Sequence, residues 1–219
     1  FCMGVCNGFA IPVAQRFGAK DEHGMRKFVA NSVWLSIIFA VVMAVLVCVF
    51  CRQILELMNT PEDIIDGSYS YIFVIFLGIP ATYMYNLLSG IMRSLGDSKT
   101  PLYLLIFSSI LNIILDLLSI IVLKMGVAGA AWATVIAQAI SGFCCLGVIW
   151  KKFPILHVQR EEWQPDKLCI LNLCNMGIPM GLQYSITAIG SVIIQAEVNS
   201  LGSVAVASVA AAVKINMFL

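Results

Sequence analysis

Between Leu102 and Leu123 the chain carries a single charged residue, Asp116, in a run otherwise built from Leu, Ile, Val, Phe, Tyr, Ser and Asn. Crossing a bilayer takes about 20 such residues, and in lipid every backbone N–H and C=O must be satisfied within the segment, so the run is read as a membrane helix. Comparable stretches recur at Phe28–Cys51, Tyr69–Met92, the segment from Gly126 through Gly147, and Leu168–Asn199. Phe1–Gln15 reads as the tail of a further helix, and an Ala/Val-rich helix begins after Ser203. The expectation is an all-α integral membrane protein with five complete transmembrane helices and two partial ones.

Composition agrees. Hydrophobic residues make up 60% of the chain and charged residues 11%, against about a quarter charged in a soluble domain. Only Asp116, Glu197 and Lys214 fall inside apolar stretches; the other charges collect in the links. A net charge of +1 gives no reason to expect a nucleic-acid partner. The eight cysteines lie mostly in or at the ends of helical runs, without metal-ligand spacing, and read as small membrane hydrophobes. Lys and Arg number 4, 1, 2, 1 and 4 in the links 16–27, 52–68, 93–101, 124–126 and 151–167. This alternation assigns the first, third and fifth links to the cytoplasm. In 52–68, Thr60-Pro61-Glu62-Asp63 reads as the cap and acidic first turn of a short helix. The connector 151–167 is the longest, and its Phe153, Ile155 and Trp163 suggest an element lying at the interface. Both ends of the sequence fall inside apolar runs, so the chain is read as a piece of a longer protein.

Asp116 is the informative group. A carboxyl group about 13 Å from the turn Lys124-Met125-Gly126 sits near the bilayer middle, where low dielectric favours its neutral form and a charge is expensive. Asn112 lies one turn before it on the same helix face. Symmetry about residue 125 predicts that Asp116 faces Thr134 across the hairpin and Asn112 faces Gln138. Carboxylate, amide oxygen and hydroxyl together form an oxygen set suited to a proton or a transient Na⁺. Lys124 and Arg93 are too near the membrane faces to serve as a permanent counter-charge. The plain alternative is a protonated Asp held by Asn and Thr as packing glue between helices. Candidate cavity-lining residues are Gln138, Tyr83 and Asn86 beyond the expected kink at Pro80, and Gln183, Tyr184 and Thr187 on the last complete helix. Ordinary helix packing accounts for these equally well. Glu197, near a helix end, is read as solvated, and His23 as a solvated loop side chain. No nucleophilic triad, metal cluster or phosphate loop is visible, so an enzyme is not expected, and no cofactor is implied.

Several motifs carry a resemblance. Ala14-Gln15-Arg16-Phe17-Gly18-Ala19-Lys20, Gly78-Ile79-Pro80, Arg93-Ser94-Leu95-Gly96-Asp97-Ser98-Lys99-Thr100-Pro101 and Asn112-Ile113-Ile114-Leu115-Asp116 stand in that order. Gly126-Val127-Ala128-Gly129-Ala130-Ala131-Trp132-Ala133-Thr134, Gly177-Ile178-Pro179 and Asn199-Ser200-Leu201-Gly202 follow. Together they resemble the multidrug and toxic compound extrusion (MATE) transporters, on the DNA-damage-inducible-like branch. The resemblance implies a twelve-helix, two-lobe protein of a bacterial cell membrane, monomeric when complete. It would export organic, chiefly cationic compounds in exchange for H⁺ or Na⁺. Residues 1–150 would then be most of the first lobe (family helices 2–6), 151–167 the inter-lobe connector, and 168–219 the start of the second lobe. The family's first-lobe cation site falls on Asn112, Asp116 and Thr134, and a further carboxylate on the family's first helix normally completes it. Two other readings remain open at this point: a flippase for lipid-linked precursors, which would call for basic residues in the cavity, and a structural membrane module.

Overall fold

The computed structural model describes residues 1–57 and 62–200, and the regular elements among them are all helical. Seven α-helices follow one another: α1 (Cys2–Gly18), α2 (Glu22–Leu57), α3 (Glu62–Leu77), α4 (Ile79–Ser94), α5 (Lys99–Leu117), α6 (Gly126–Lys152) and α7 (Lys167–Ser200). Helices α2, α5, α6 and α7 are each long and apolar enough to cross a bilayer, and α3 with α4 forms one further span bent by 43°. The five complete spans expected from the apolar runs are therefore present. The Thr60-Pro61 cap, Lys214, the helix expected after Ser203 and the side chain of Glu197 lie outside the described residues.

The bend falls at Gly78, two residues before Pro80. Pro80 has no N–H to give to residue 76, so the ladder is interrupted there, while Gly78 N bonds both Val74 O and Ile75 O at 3.0 and 3.1 Å. A side chain at Gly78 would run into the Val135 side chain of α6, so the bend seats Val135 directly on the Gly78 backbone. Half-exposed apolar side chains, among them Leu102, Ile106, Ile110, Ile113 and Leu117, run the length of α5. Such a continuous apolar face is compatible with lipid and not with water.

The densest packing joins α1 to α4 and α7. Val5, Phe9 and Val13 of α1 are buried against Tyr83, Leu87 and Ile91 of α4 and Leu173 of α7. Gly4 and Gly8 on α1 meet Gly177 and Gly181 on α7: a Cβ at Gly4 would lie 2.6 Å from Met180 O, and one at Gly8 2.5 Å from Gly177 Cα. Small residues spaced by four thus let two helix backbones touch.

The three links with the highest basic counts gather at one end of the bundle. Lys152 Nζ bonds Asp97 Oδ2 at 2.7 Å and Thr100 Oγ1 at 2.8 Å, tying the end of α6 to the start of α5. Asp97 also accepts from Thr100 N (3.0 Å) and Thr100 Oγ1 (2.6 Å), which caps α5. The Lys152 ammonium and these Thr100 bonds hold the Asp97 carboxyl well below the usual aspartate range. A depressed folded-state value stabilises the fold above the unfolded value of about 3.9, and this contribution is lost as pH falls below it. Asp97→Ala is expected to cost about 1 kcal/mol at neutral pH, chiefly through the lost cap, and correspondingly less in strong acid. Thermal unfolding in detergent across the acid range checks both statements.

The connector between α6 and α7 holds two short 3₁₀ turns, Pro154–Leu156 and Arg160–Trp163. Glu162 is 1% exposed. Arg26 Nε lies 2.9 Å from both its carboxylate oxygens, His23 Nδ1 2.9 Å from Oε1, and Gln159 N donates to Oε2 at 2.8 Å. Burial pushes the Glu162 carboxyl up, but the Gln159, Arg26 and His23 contacts outweigh it and hold it below the usual glutamate range. His23, expected to be merely solvated, is mostly exposed yet takes part in this cluster through one ring nitrogen. Asn31, buried in α2, accepts from Asp166 N at 3.0 Å and donates to Lys27 O at 2.8 Å. Trp34 Nε1 donates to Trp163 O, and the two indoles meet edge to face. The connector is therefore clamped onto the start of α2. Glu162→Ala leaves Arg26 with only the exposed Glu22 carboxylate at 3.6 Å and is expected to cost about 1.5–3 kcal/mol, the range for hydrogen bonds to charged groups. A chevron or thermal-unfolding comparison with Glu162→Gln separates charge from packing.

Candidate functional site

The candidate site lies where α5 faces α6. Asp116 occupies the last turn of α5, immediately before a π turn at Leu118–Val122 in which Leu123 N reaches back to Leu118 O at 3.0 Å. The hairpin then closes with Met125 N on Ser119 O at 3.0 Å, helped by left-handed backbone at Lys124 and Gly126 (φ 50° and 62°). Buried Ser119 packs under Gly129, where a Cβ would sit 3.0 Å from its own.

This turn corrects the symmetric register. Asn112 Nδ2 donates to Thr134 Oγ1 at 3.3 Å, so Asn112 is paired one turn nearer the hairpin than Gln138. The physical reason is the π turn: its i→i+5 bonding fits more residues into each turn, which shortens the α5 arm relative to a straight α-helix. Gln138 instead meets α4, where the Thr82 hydroxyl donates to its Oε1. Asn86 Nδ2 in turn donates to Thr82 O at 2.8 Å. Two polar bridges thus enter the apolar bundle from α6, one to α5 and one to α4.

Asp116 stands beside the first bridge without joining it. Its Oδ1 is buried and has no hydrogen-bond partner among the described residues. Oδ1 is therefore turned into the protein, on a residue of intermediate exposure, and neither Asn112 nor Thr134 bonds it. The Thr134 hydroxyl hydrogen goes to Ala130 O at 3.0 Å, and the Asn112 amide hydrogen goes to Thr134. The cluster leaves free the Asn112 carbonyl, a Thr134 lone pair, the carboxyl group and the second Asn112 N–H. Three oxygen groups, one of them ionisable, suit a proton or a hard monovalent cation.

The remaining candidates are placed differently. Tyr83 is 1% exposed and lines an apolar groove between α2, α4 and α6, with its hydroxyl unpartnered. Gln183, Tyr184 and Thr187 are exposed along α7; Thr187 Oγ1 returns to Gln183 O, and the Tyr184 hydroxyl accepts from Asn7 Nδ2 at 3.3 Å. Asn7 also accepts from Arg93 at 3.3 Å, linking α1, α4 and α7. Sequence reasoning passed over Asn7 and Thr82. A signal existed for both: Asn7 is polar within an apolar helix, and Thr82 lies one turn before Asn86.

The MatE family profile matches residues 1–118. The chain is 32% identical over 218 residues to the probable multidrug resistance protein YoeA of Bacillus subtilis, covering 95% of this chain and 46% of that protein. It is 32% identical over 204 residues to the probable multidrug resistance protein YpnP of the same organism, covering 92% and 45%. It therefore spans less than half the length of these relatives. The fold is shared with a multidrug resistance MATE family transporter of the MOP superfamily solved in an outward-facing conformation, at TM-score 0.88 and 23% identity over 99% of this chain and 49% of that one. Family profile, relatives and fold agree along the sequence, and the chain belongs to the MatE family of multi-pass membrane transporters.

Proposed function

We propose that this chain supplies most of one lobe, residues 1–150, and through the connector 151–167 the start of a second lobe, 168–219, of a twelve-helix antiporter. In this reading the whole transporter exports organic, chiefly cationic compounds in exchange for H⁺ or Na⁺. One observation carries it: a carboxyl oxygen buried within a membrane span, unpartnered, next to the Asn112–Thr134 bridge. A structural Asp would be expected to accept the hydrogen bonds that Asn112 instead gives to Thr134 and Thr134 to Ala130 O. The multidrug resistance names of the relatives support the substrate class.

In this mechanism an external proton or Na⁺ neutralises Asp116, with Asn112 and Thr134 offering the remaining oxygens. Neutralisation removes the cost of holding the charge in low dielectric and so favours a different packing of α5 and α6. The π turn after Asp116 and the bend at Gly78 are where such repacking meets least resistance. Release on the other face restores the charge. Coupling requires that the cation prefer one of the two packings, and the differential affinity sets how far the equilibrium moves. The flippase reading is disfavoured because the five complete apolar runs hold no Lys or Arg to meet a phosphate. The test is export of a fluorescent organic cation by the full-length transporter under an imposed pH or Na⁺ gradient, with Asp116→Asn as the diagnostic variant.

A further inference from the structure

The geometry points to a phospholipid site on the outside of the bundle: the groove between α2 and α4, roofed by Trp163, takes one acyl chain of an anionic phospholipid whose headgroup meets Arg160. The groove encloses about 360 Å³ and is walled by Val33, Ile37 and Val41 of α2 and by Leu87 and Leu88 of α4. Ile37 and Val41 are half exposed, so it opens sideways toward lipid rather than into the bundle.

Three observations select the occupant. The first is length and depth. From Val33 to Val41 the groove runs about 12 Å along α2, close to the roughly 15 Å depth of one leaflet's hydrocarbon. Its roof, Trp163, is edge-on to Trp34 at the end of the bundle where the basic links gather, the placement of interfacial aromatic residues. A chain entering beneath that pair lies along the leaflet rather than across it.

The second is charge. Arg160 opens the 3₁₀ turn that Trp163 closes, and three residues per turn put both on one face. Arg160 is exposed and forms no ion pair among the described residues. Of the two acids in the turn, Glu162 is taken by Arg26 and His23, while Glu161 is exposed beside Arg160. A guanidinium at the headgroup level, above an acyl-sized slot, complements a phosphodiester.

The third is an unmet polar group. Ser36 lines the groove one turn below Val33, is 5% exposed, and its Oγ has no partner. Turned from its present closed position into the groove, it would donate to a glycerol ester carbonyl just under the headgroup. An all-hydrocarbon occupant would leave that hydroxyl unsatisfied.

The test uses the full-length transporter in phosphatidylcholine nanodiscs, doped with phosphatidylglycerol carrying brominated acyl chains. The readout is the fluorescence quenching that disappears in Trp163→Phe. Brominated phosphatidylglycerol is expected to quench Trp163 saturably, at several-fold lower mole fraction than brominated phosphatidylcholine. Arg160→Gln, a surface change, should abolish that preference while leaving quenching by both lipids. Ala40→Phe, which fills the groove, should abolish the saturable component; Val41→Phe, half exposed, serves if Ala40→Phe fails to fold. Equal quenching by both lipids in wild type and Arg160→Gln overturns the site. Displacement of the saturable component by an exported organic cation also overturns it, and assigns the groove to the drug path instead.

Discussion

The full-length transporter carrying Asp116→Asn is expected to reach the membrane at normal levels and to lose gradient-driven export by about 5- to 150-fold, the span of ordinary coupling energies between two sites. The amide keeps the size of the carboxyl group and its capacity to accept a hydrogen bond. It also resembles a permanently neutralised acid, so folding should be little affected, because the buried Oδ1 has no partner to lose. What disappears is the change of charge. The expected signature is therefore specific: organic-cation binding persists while its dependence on pH or Na⁺ flattens. Asn112→Ala and Thr134→Ala should each weaken cation dependence less severely, since each removes one neutral oxygen and breaks one 3.3 Å bridge. If Asp116→Asn exports as well as the wild type under the same gradient, the residue is packing glue and the coupling assignment is wrong.

The second large effect is expected at the contact of α1 with α7. Gly8→Leu should destabilise the protein by about 3 kcal/mol or more, above the usual 1–3 kcal/mol of overpacking. In most overpacked cores the obstacle is a side chain that moves. Here a Cβ at Gly8 meets backbone, with Gly177 Cα at 2.5 Å and Met176 O at 2.7 Å, so the helices themselves must separate. Even Gly8→Ala places that first atom. Gly18→Ala, at the end of the same helix, meets nothing within 4 Å and is expected to change stability by less than about 0.5 kcal/mol. Thermal unfolding of the two alanine variants side by side checks the contrast. Equal stabilities would mean that the α1–α7 crossing is not held by backbone contact. On the proposed division into lobes, which puts α1 and α7 on opposite sides, Gly8→Ala should also shift the balance between the transporter's two conformations and Gly18→Ala should not.

The amino-acid sequence alone determined that this chain is a bundle of membrane helices, how many spans it contributes, which links share one end, and that Asp116 is the one acid in the span from Leu102 to Leu123. Each of these follows from local quantities: the length of an apolar run, the position of a charge within it, a proline that removes one donor. Asn112 and Thr134 were legible for the same reason, as polar residues that cost energy in lipid. Only the tertiary structure decided which polar groups meet. The π turn at Leu118–Val122 moved Asn112 onto Thr134 and left Gln138 to Thr82, a shift that no 3.6-residue periodicity contains. Likewise, the buried cluster of Glu162, Arg26 and His23 joins residues 136 and 139 positions apart. Nothing in their neighbourhoods distinguishes them from solvated charges. The difference is physical: the cost of placing a residue in lipid is paid locally and can be read along the chain, whereas hydrogen-bond partners are chosen among helices by register and packing, which only the folded arrangement fixes.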